Sequence, residues 1–152
     1  MTVGELFHQG ITLIGFQPQS VTHLTLGIKS KHNMRGSLPH SITHLTLGHL
    51  FNDDIKNLLN NNITHLTFGD EFNRDIKRSI PSNVTHLVFS ANFNQDITGI
   101  VLSHVTQLTF GNSFNQDIKD NIPKSITHLS LSNSFNLDIK GVIPNGVLQL
   151  FL

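Results

Sequence analysis

Cysteine is absent from the 152 residues. That excludes a disulfide framework, the usual staple of a small secreted domain, and favours a reducing compartment, so the protein is expected to be intracellular and cytoplasmic. Charge is scarce as well. Only 13% of residues are Asp, Glu, Lys or Arg, against roughly 25% in ordinary soluble domains, and ten basic residues balance ten acidic ones. A net charge of zero leaves no electrostatic footprint for nucleic acid or an anionic membrane surface. No apolar run approaches the roughly 20 residues of a membrane span. The opening MTVGELFHQGITLIGF lacks a basic segment and carries Glu5 ahead of its apolar residues, which makes it a poor signal peptide. A Gly-rich phosphate loop, an HExxH pair and a GxSxG elbow are missing too. These absences argue against an enzyme.

What is present is a meter. The tetrapeptide Ile/Val-Thr-His/Gln-Leu begins at Val21, Ile42, Ile63, Val84, Val105 and Ile126, and a seventh form, Val-Leu-Gln-Leu, begins at Val147; every step is 21 residues. The first, fourth and sixth positions are apolar in each copy, with polar residues between, which is the alternation of a short strand with one buried face. A turn-like Gly or Ser follows. Then comes Phe-Asn-x-Asp-Ile, at Phe51, Phe72, Phe93, Phe114 and Phe135, and a second apolar point often followed by proline, as in Leu38-Pro39, Ile80-Pro81, Ile122-Pro123 and Ile143-Pro144. Proline ends any helical turn and cannot donate to a ladder, and the return path is too short for a full helix.

One such coil cannot bury enough surface to offset the entropy of ordering itself, whereas stacked coils bury their faces against each other and gain ladder hydrogen bonds. The period therefore predicts a repeat solenoid, one short parallel strand per 21-residue coil, over residues 21–152, as six full repeats plus a seventh terminal strand. Residues 1–20 fall out of frame and are expected to form an irregular N-terminal cap. Asn52, Asn73, Asn94, Asn115 and Asn136 directly follow the core Phe residues. They are expected to form a structural ladder, each a buried amide that accepts from one coil's backbone and donates to the next. The Asp two places on, from Asp54 to Asp138, suits the capping of a turn.

Laid out in this frame, the chain resembles the FNIP repeat family, a relative of leucine-rich repeats found in social amoebae and giant viruses. The name-giving Phe-Asn and Ile-Pro stand intact as Phe72-Asn73 with Ile80-Pro81, Phe114-Asn115 with Ile122-Pro123, and Phe135-Asn136 with Ile143-Pro144. The pattern departs at Ser30-Lys31, Leu59-Asn60 and Val101-Leu102. The resemblance implies a leucine-rich-repeat-like solenoid and a partner-binding role, often as the recognition half of F-box proteins that deliver substrates for ubiquitination. Residues 1–20 are too few for an F-box.

Half of the ten His residues share one repeat position: His23, His44, His65, His86 and His128, a column completed by Gln107 and Gln149. As the third residue of each strand they point out of the sheet, beside Thr25, Thr46, Thr67, Val88, Thr109 and Ser130. The tetrapeptide Thr (Thr22, Thr43, Thr64, Thr85) has the wrong parity to join that face. Neutral imidazole suits transition metals, but a straight column repeats one vector where a metal site gathers ligands around a point. The expectation is therefore no metal and no cofactor. The column is expected to bond along the ladder and to offer a polar, weakly charged face to a protein partner. Five stacked imidazoles repel once protonated, so stability is expected to fall between about pH 7 and 5.

With the variable eighth position, represented by His49 and Asp70, these two columns outline the expected partner-binding face. The expected function is that of a non-enzymatic protein–protein interaction module, with substrate recognition as one form of it. The alternative is a structural protein that self-associates. In that reading Val147, Gln149, Phe151 and Leu152 form an edge that pairs with a second copy about a two-fold axis, giving a homodimer.

Overall fold

The computed structural model describes residues 20–27, 38–56, 58–100 and 102–152. Within them, seven three-residue strands form a single sheet: β1 (His23–Thr25), β2 (His44–Thr46), β3 (His65–Thr67), β4 (His86–Val88), β5 (Gln107–Thr109), β6 (His128–Ser130) and β7 (Gln149–Phe151). Their order is β1-β2-β3-β4-β5-β6-β7. Every pair is parallel, and each residue faces its counterpart one repeat later, as His44 faces His65 and Leu45 faces Leu66. The meter of the sequence is the register of the sheet. No element among the described residues is a helix. The cap expected over residues 1–20 lies almost wholly outside the described residues.

The central Leu of each strand points inward, and Leu24, Leu45, Leu66, Leu87, Leu108 and Leu129 are all buried. The chain enters each strand by bonding two successive N–H groups to one carbonyl of the coil before, as Thr64 and His65 do to Thr43. It leaves with the N–H of the sixth position donated to the coil after, as Phe68 donates to Val88. Three tight turns then bring it round. In the third coil the carbonyls of Gly69, Ile76 and Pro81 accept the N–H groups of Phe72, Ser79 and Val84. At the first of these corners the coils run close: a Cβ on Gly69 would meet the Gly48 carbonyl oxygen one coil away unless the backbone shifted, whereas the next coil places Ser90 there, its hydroxyl donating to the Phe68 carbonyl.

Aromatic packing fills the interior. Phe51, Phe72, Phe93, Phe114 and Phe135 stack with centroids 6.2–6.3 Å apart. A second file, Phe68, Phe89 and Phe110, lies 3.8–4.0 Å from the first. All are buried except Phe135, which is half-buried in the last complete coil.

The Asn ladder forms, but on the rim. The first four Asn accept from the next coil's backbone: Asn52 from Asn73, Asn73 from Asn94, Asn94 from Asn115 and Asn115 from Asn136, at 2.9–3.2 Å. The expected burial is corrected, since these residues are half-exposed or exposed. Phe occupies the interior and its successor turns outward. The buried amide is Asn60 instead, which stands where other coils place proline and donates to the Pro39 carbonyl at 2.8 Å. The Asp column caps its turns as expected: Asp54, Asp75, Asp96, Asp117 and Asp138 each accept a backbone N–H two residues on at 2.8 Å. Hydrogen bonds from Thr98, followed by the Lys77 ammonium, hold the Asp96 carboxyl down to about 2.

Candidate functional site

The sheet face turned away from the core carries two parallel columns. In β1 to β4 the rings of His23, His44, His65 and His86 stack continuously, with centroids 3.9–4.0 Å apart and planes inclined by 15–18°. Gln107 then separates His86 from His128. The stacking follows from parallel, in-register pairing of identical residues, which leaves each ring one strand spacing from the next.

The expected histidine ladder is visible as this stack, but the hydrogen bonding expected along it is not made between the rings among the described residues. Each ring instead bonds to the residue before it. Nδ1 of His23, His44, His65, His86 and His128 lies 2.8–2.9 Å from Oγ1 of Thr22, Thr43, Thr64, Thr85 and Thr127. These Thr residues were excluded from the face by strand parity. They sit one position ahead of the strand, where the chain is still turning in, and the hydroxyl reaches the ring from the side. The same hydroxyls donate to the Thr carbonyl one coil earlier, at 3.1–3.3 Å for Thr43, Thr64, Thr85, Thr106 and Thr127. Their recurrence in six copies was the signal that could have identified this role.

Thr25, Thr46, Thr67 and Thr109 form the second column, interrupted by Val88 and closed by Ser130. A shallow groove runs between the columns over β1 to β3, floored by Leu24 and Leu45. The seven strands contain no Asp, Glu, Lys or Arg. His49 and Asp70, assigned to the partner face by their variability, engage each other through Nδ1 and Oδ2 at 2.7 Å while each stays about half exposed.

Burial in the stack lowers the pKa of His44, helped by the charges of His23 and His86. His65 is lowered for the same reason, first by burial and then by His86, His44 and His23. Both shifts favour the neutral rings of His44 and His65. No group of three or more His, Asp or Glu side chains among the described residues is arranged to hold a metal ion. No helix there is long and apolar enough to cross a membrane.

At the far end, β7 is exposed along its length. Leu150 and Leu152 occupy core positions left uncovered on one side. Leu148 and Phe151, 78% and 60% exposed, are apolar where the pattern elsewhere gives Thr, Val or Ser.

The sequence profile described as FNIP Repeat matches residues 10–50, 76–113 and 114–152, more than half of the chain. The chain belongs to the FNIP repeat family. The unmatched stretch inside the repeats, 51–75, holds the coil in which Asn60 replaces the proline, yet the FNIP register runs through it unbroken. Among solved structures the FNIP chain is similar to CroV588, whose crystal structure is described as a novel circular LRR protein structure. That likeness has a TM-score of 0.88 at 42% identity and covers 99% of this chain but 23% of the other. No curated protein matches.

Proposed function

We propose that this FNIP solenoid is a non-enzymatic protein-interaction module whose contact surface is the His–Thr face. The observation that carries the reading is the face itself: two files of polar side chains at one spacing, with no charged residue on any strand. A repeated column builds an extended surface and not a single reacting centre, and solenoids present such sheet faces to partners. The likeness to an LRR protein supports the reading at the level of fold. His23, His44, His65, His86, Gln107 and His128, with Thr25, Thr46, Thr67 and Thr109, make the surface, and His49 and Asp70 border it. Affinity capture from a natural host, comparing the intact chain with a triple change of His44, His65 and His86 to Ala, tests it. Loss of a specific partner with the triple variant is expected, and equal recovery from both discards the face.

A second reading is self-association through β7, favoured by the out-of-pattern Leu148 and Phe151. Val147, Gln149, Phe151 and Leu152 then pair with the same strand of a second copy about a two-fold axis. The solved relative is described as circular, and a circle of coils leaves no end strand unpaired. Light scattering at high micromolar concentration decides it: Phe151→Asp abolishes an edge dimer, and a strict monomer before substitution rejects one.

A further inference from the structure

The hydrogen-bond polarity of the His column follows from a count of protons. A Thr hydroxyl has one hydrogen. In Thr43, Thr64, Thr85 and Thr127 it is donated to the Thr carbonyl one coil earlier. An oxygen whose hydrogen is committed can only accept, so Nδ1 of His44, His65, His86 and His128, at 2.8–2.9 Å, carries the ring proton. Nε2, on the ring edge away from Thr, is left with a bare lone pair and makes no hydrogen bond among the described residues. The neighbouring column is the converse. The hydroxyls of Thr25, Thr46, Thr67 and Thr109 make no side-chain hydrogen bond among the described residues and are available as donors.

A file of acceptors beside a file of donors, at one spacing, is self-complementary. Rotation of a second copy about an axis parallel to the solenoid, midway between the columns, lays each His file over the other's hydroxyl file. His23 then faces Thr25, His44 faces Thr46, His65 faces Thr67 and His128 faces Ser130, while His86 meets Val88 and makes no such bond. The coil spacing matches automatically, because both partners are the same chain. Resting on the reading that the His–Thr face is a contact surface, we infer that its occupant is a second copy of this chain, docked face to face through Thr hydroxyl to His Nε2 hydrogen bonds. Three-residue strands make a narrow contact, so the association is weak and transient.

Acid separates the copies. Protonation of Nε2 places two cationic files against each other. The groups available to compensate are few: the strands carry no carboxylate, the turns leaving them bring Asp70, already paired with His49, and Glu71, and the turns entering them bring His40, His104 and Lys124.

Nitrogen NMR of protein labelled at His reads the tautomers at pH 7.5, and sedimentation equilibrium at high micromolar concentration reads the assembly at pH 7.5 and 5. The expected result is a protonated Nδ1 with bare Nε2 in His44, His65, His86 and His128, a dimer at pH 7.5 and a folded monomer at pH 5. The double change of Thr46 and Thr67 to Val, a residue the column already accepts at Val88, weakens the dimer about tenfold or more. Phe151→Asp leaves it intact. A proton on Nε2, a monomer at pH 7.5, a dimer that persists with Thr46 and Thr67 changed, or one lost with Phe151→Asp each overturns the inference. If the protein is monomeric but the His triple variant still loses a host partner, the face is a contact surface for another protein and only the second copy is rejected.

Discussion

β3 and β7 have the same length, direction and register, yet their surroundings differ. Leu66 in β3 is 1% exposed, whereas Leu150 in the same position of β7 is 39% exposed. Nothing in either coil's own residues accounts for that. Leu66 has a coil on each side and Leu150 has one, so burial here is a property of the neighbour. A coil is half of two interfaces and has little structure alone, which is the expected energetics of a linear repeat array.

The sharpest way to test that contrast is to remove the same kind of group at both places. Phe93→Ala empties a site filled against Phe72, Phe89 and Phe114 and is expected to cost about 3–5 kcal/mol. Phe151→Ala removes an exposed ring and should change stability by less than about 0.5 kcal/mol. Urea unfolding of the two variants gives the ratio, and equal losses would break the comparison.

Backbone closeness should show the same gradient. Gly69→Ala directs a methyl at the Gly48 carbonyl between two interior coils, for an expected loss of about 1–3 kcal/mol. Gly146→Ala, whose Cβ meets the Lys124 carbonyl oxygen at an ordinary 3.4 Å, should fall well below that. On the rim, Asn73→Ala deprives the Asn94 N–H and the Gln95 amide of their acceptor, costing about 1 kcal/mol. Among the described residues Asn136 accepts only from the Asn115 side chain, so Asn136→Ala should cost less.

The smallest effect comes from pH. The folded-state pKa values of His44 and His65 lie below 6.5, so the unfolded chain binds protons more readily. Their contribution is fully present above about pH 6.5 and is lost as pH falls through the folded values. The melting temperature should therefore drop from pH 7 to 5. His44→Gln with His65→Gln should flatten the profile, and an unchanged slope would remove the stack as its cause.

Much of this was legible because one number, the period, fixes both the strand and its partner. Once Ile42 and Ile63 are aligned, the pairing of His44 with His65 follows without further information. What escaped were contacts that depend on where a coil bends. Thr43 was assigned by strand parity, but it lies ahead of the strand, so its hydroxyl reaches both an earlier carbonyl and the next ring. Asn60 was read as a lapse from Ile-Pro, yet its amide adds a second hydrogen bond to the Pro39 carbonyl, which already accepts from the Ile42 N–H, and its side chain supplies a donor that proline lacks. The Asn column was placed inside because it follows a core Phe, though one residue is enough to turn outward. His49 and Asp70, read as independent specificity positions, lie one repeat apart, and that spacing alone puts them side by side.

Amide hydrogen exchange on dilute protein tests most directly the claim that each coil is held by its neighbours. The opening free energy should be highest for the ladder amides of Leu66, Leu87 and Leu108 and should decline through Leu129 to the β7 amides of Gln149 and Leu150. Protection of β7 equal to that of β4 in the monomer would contradict it.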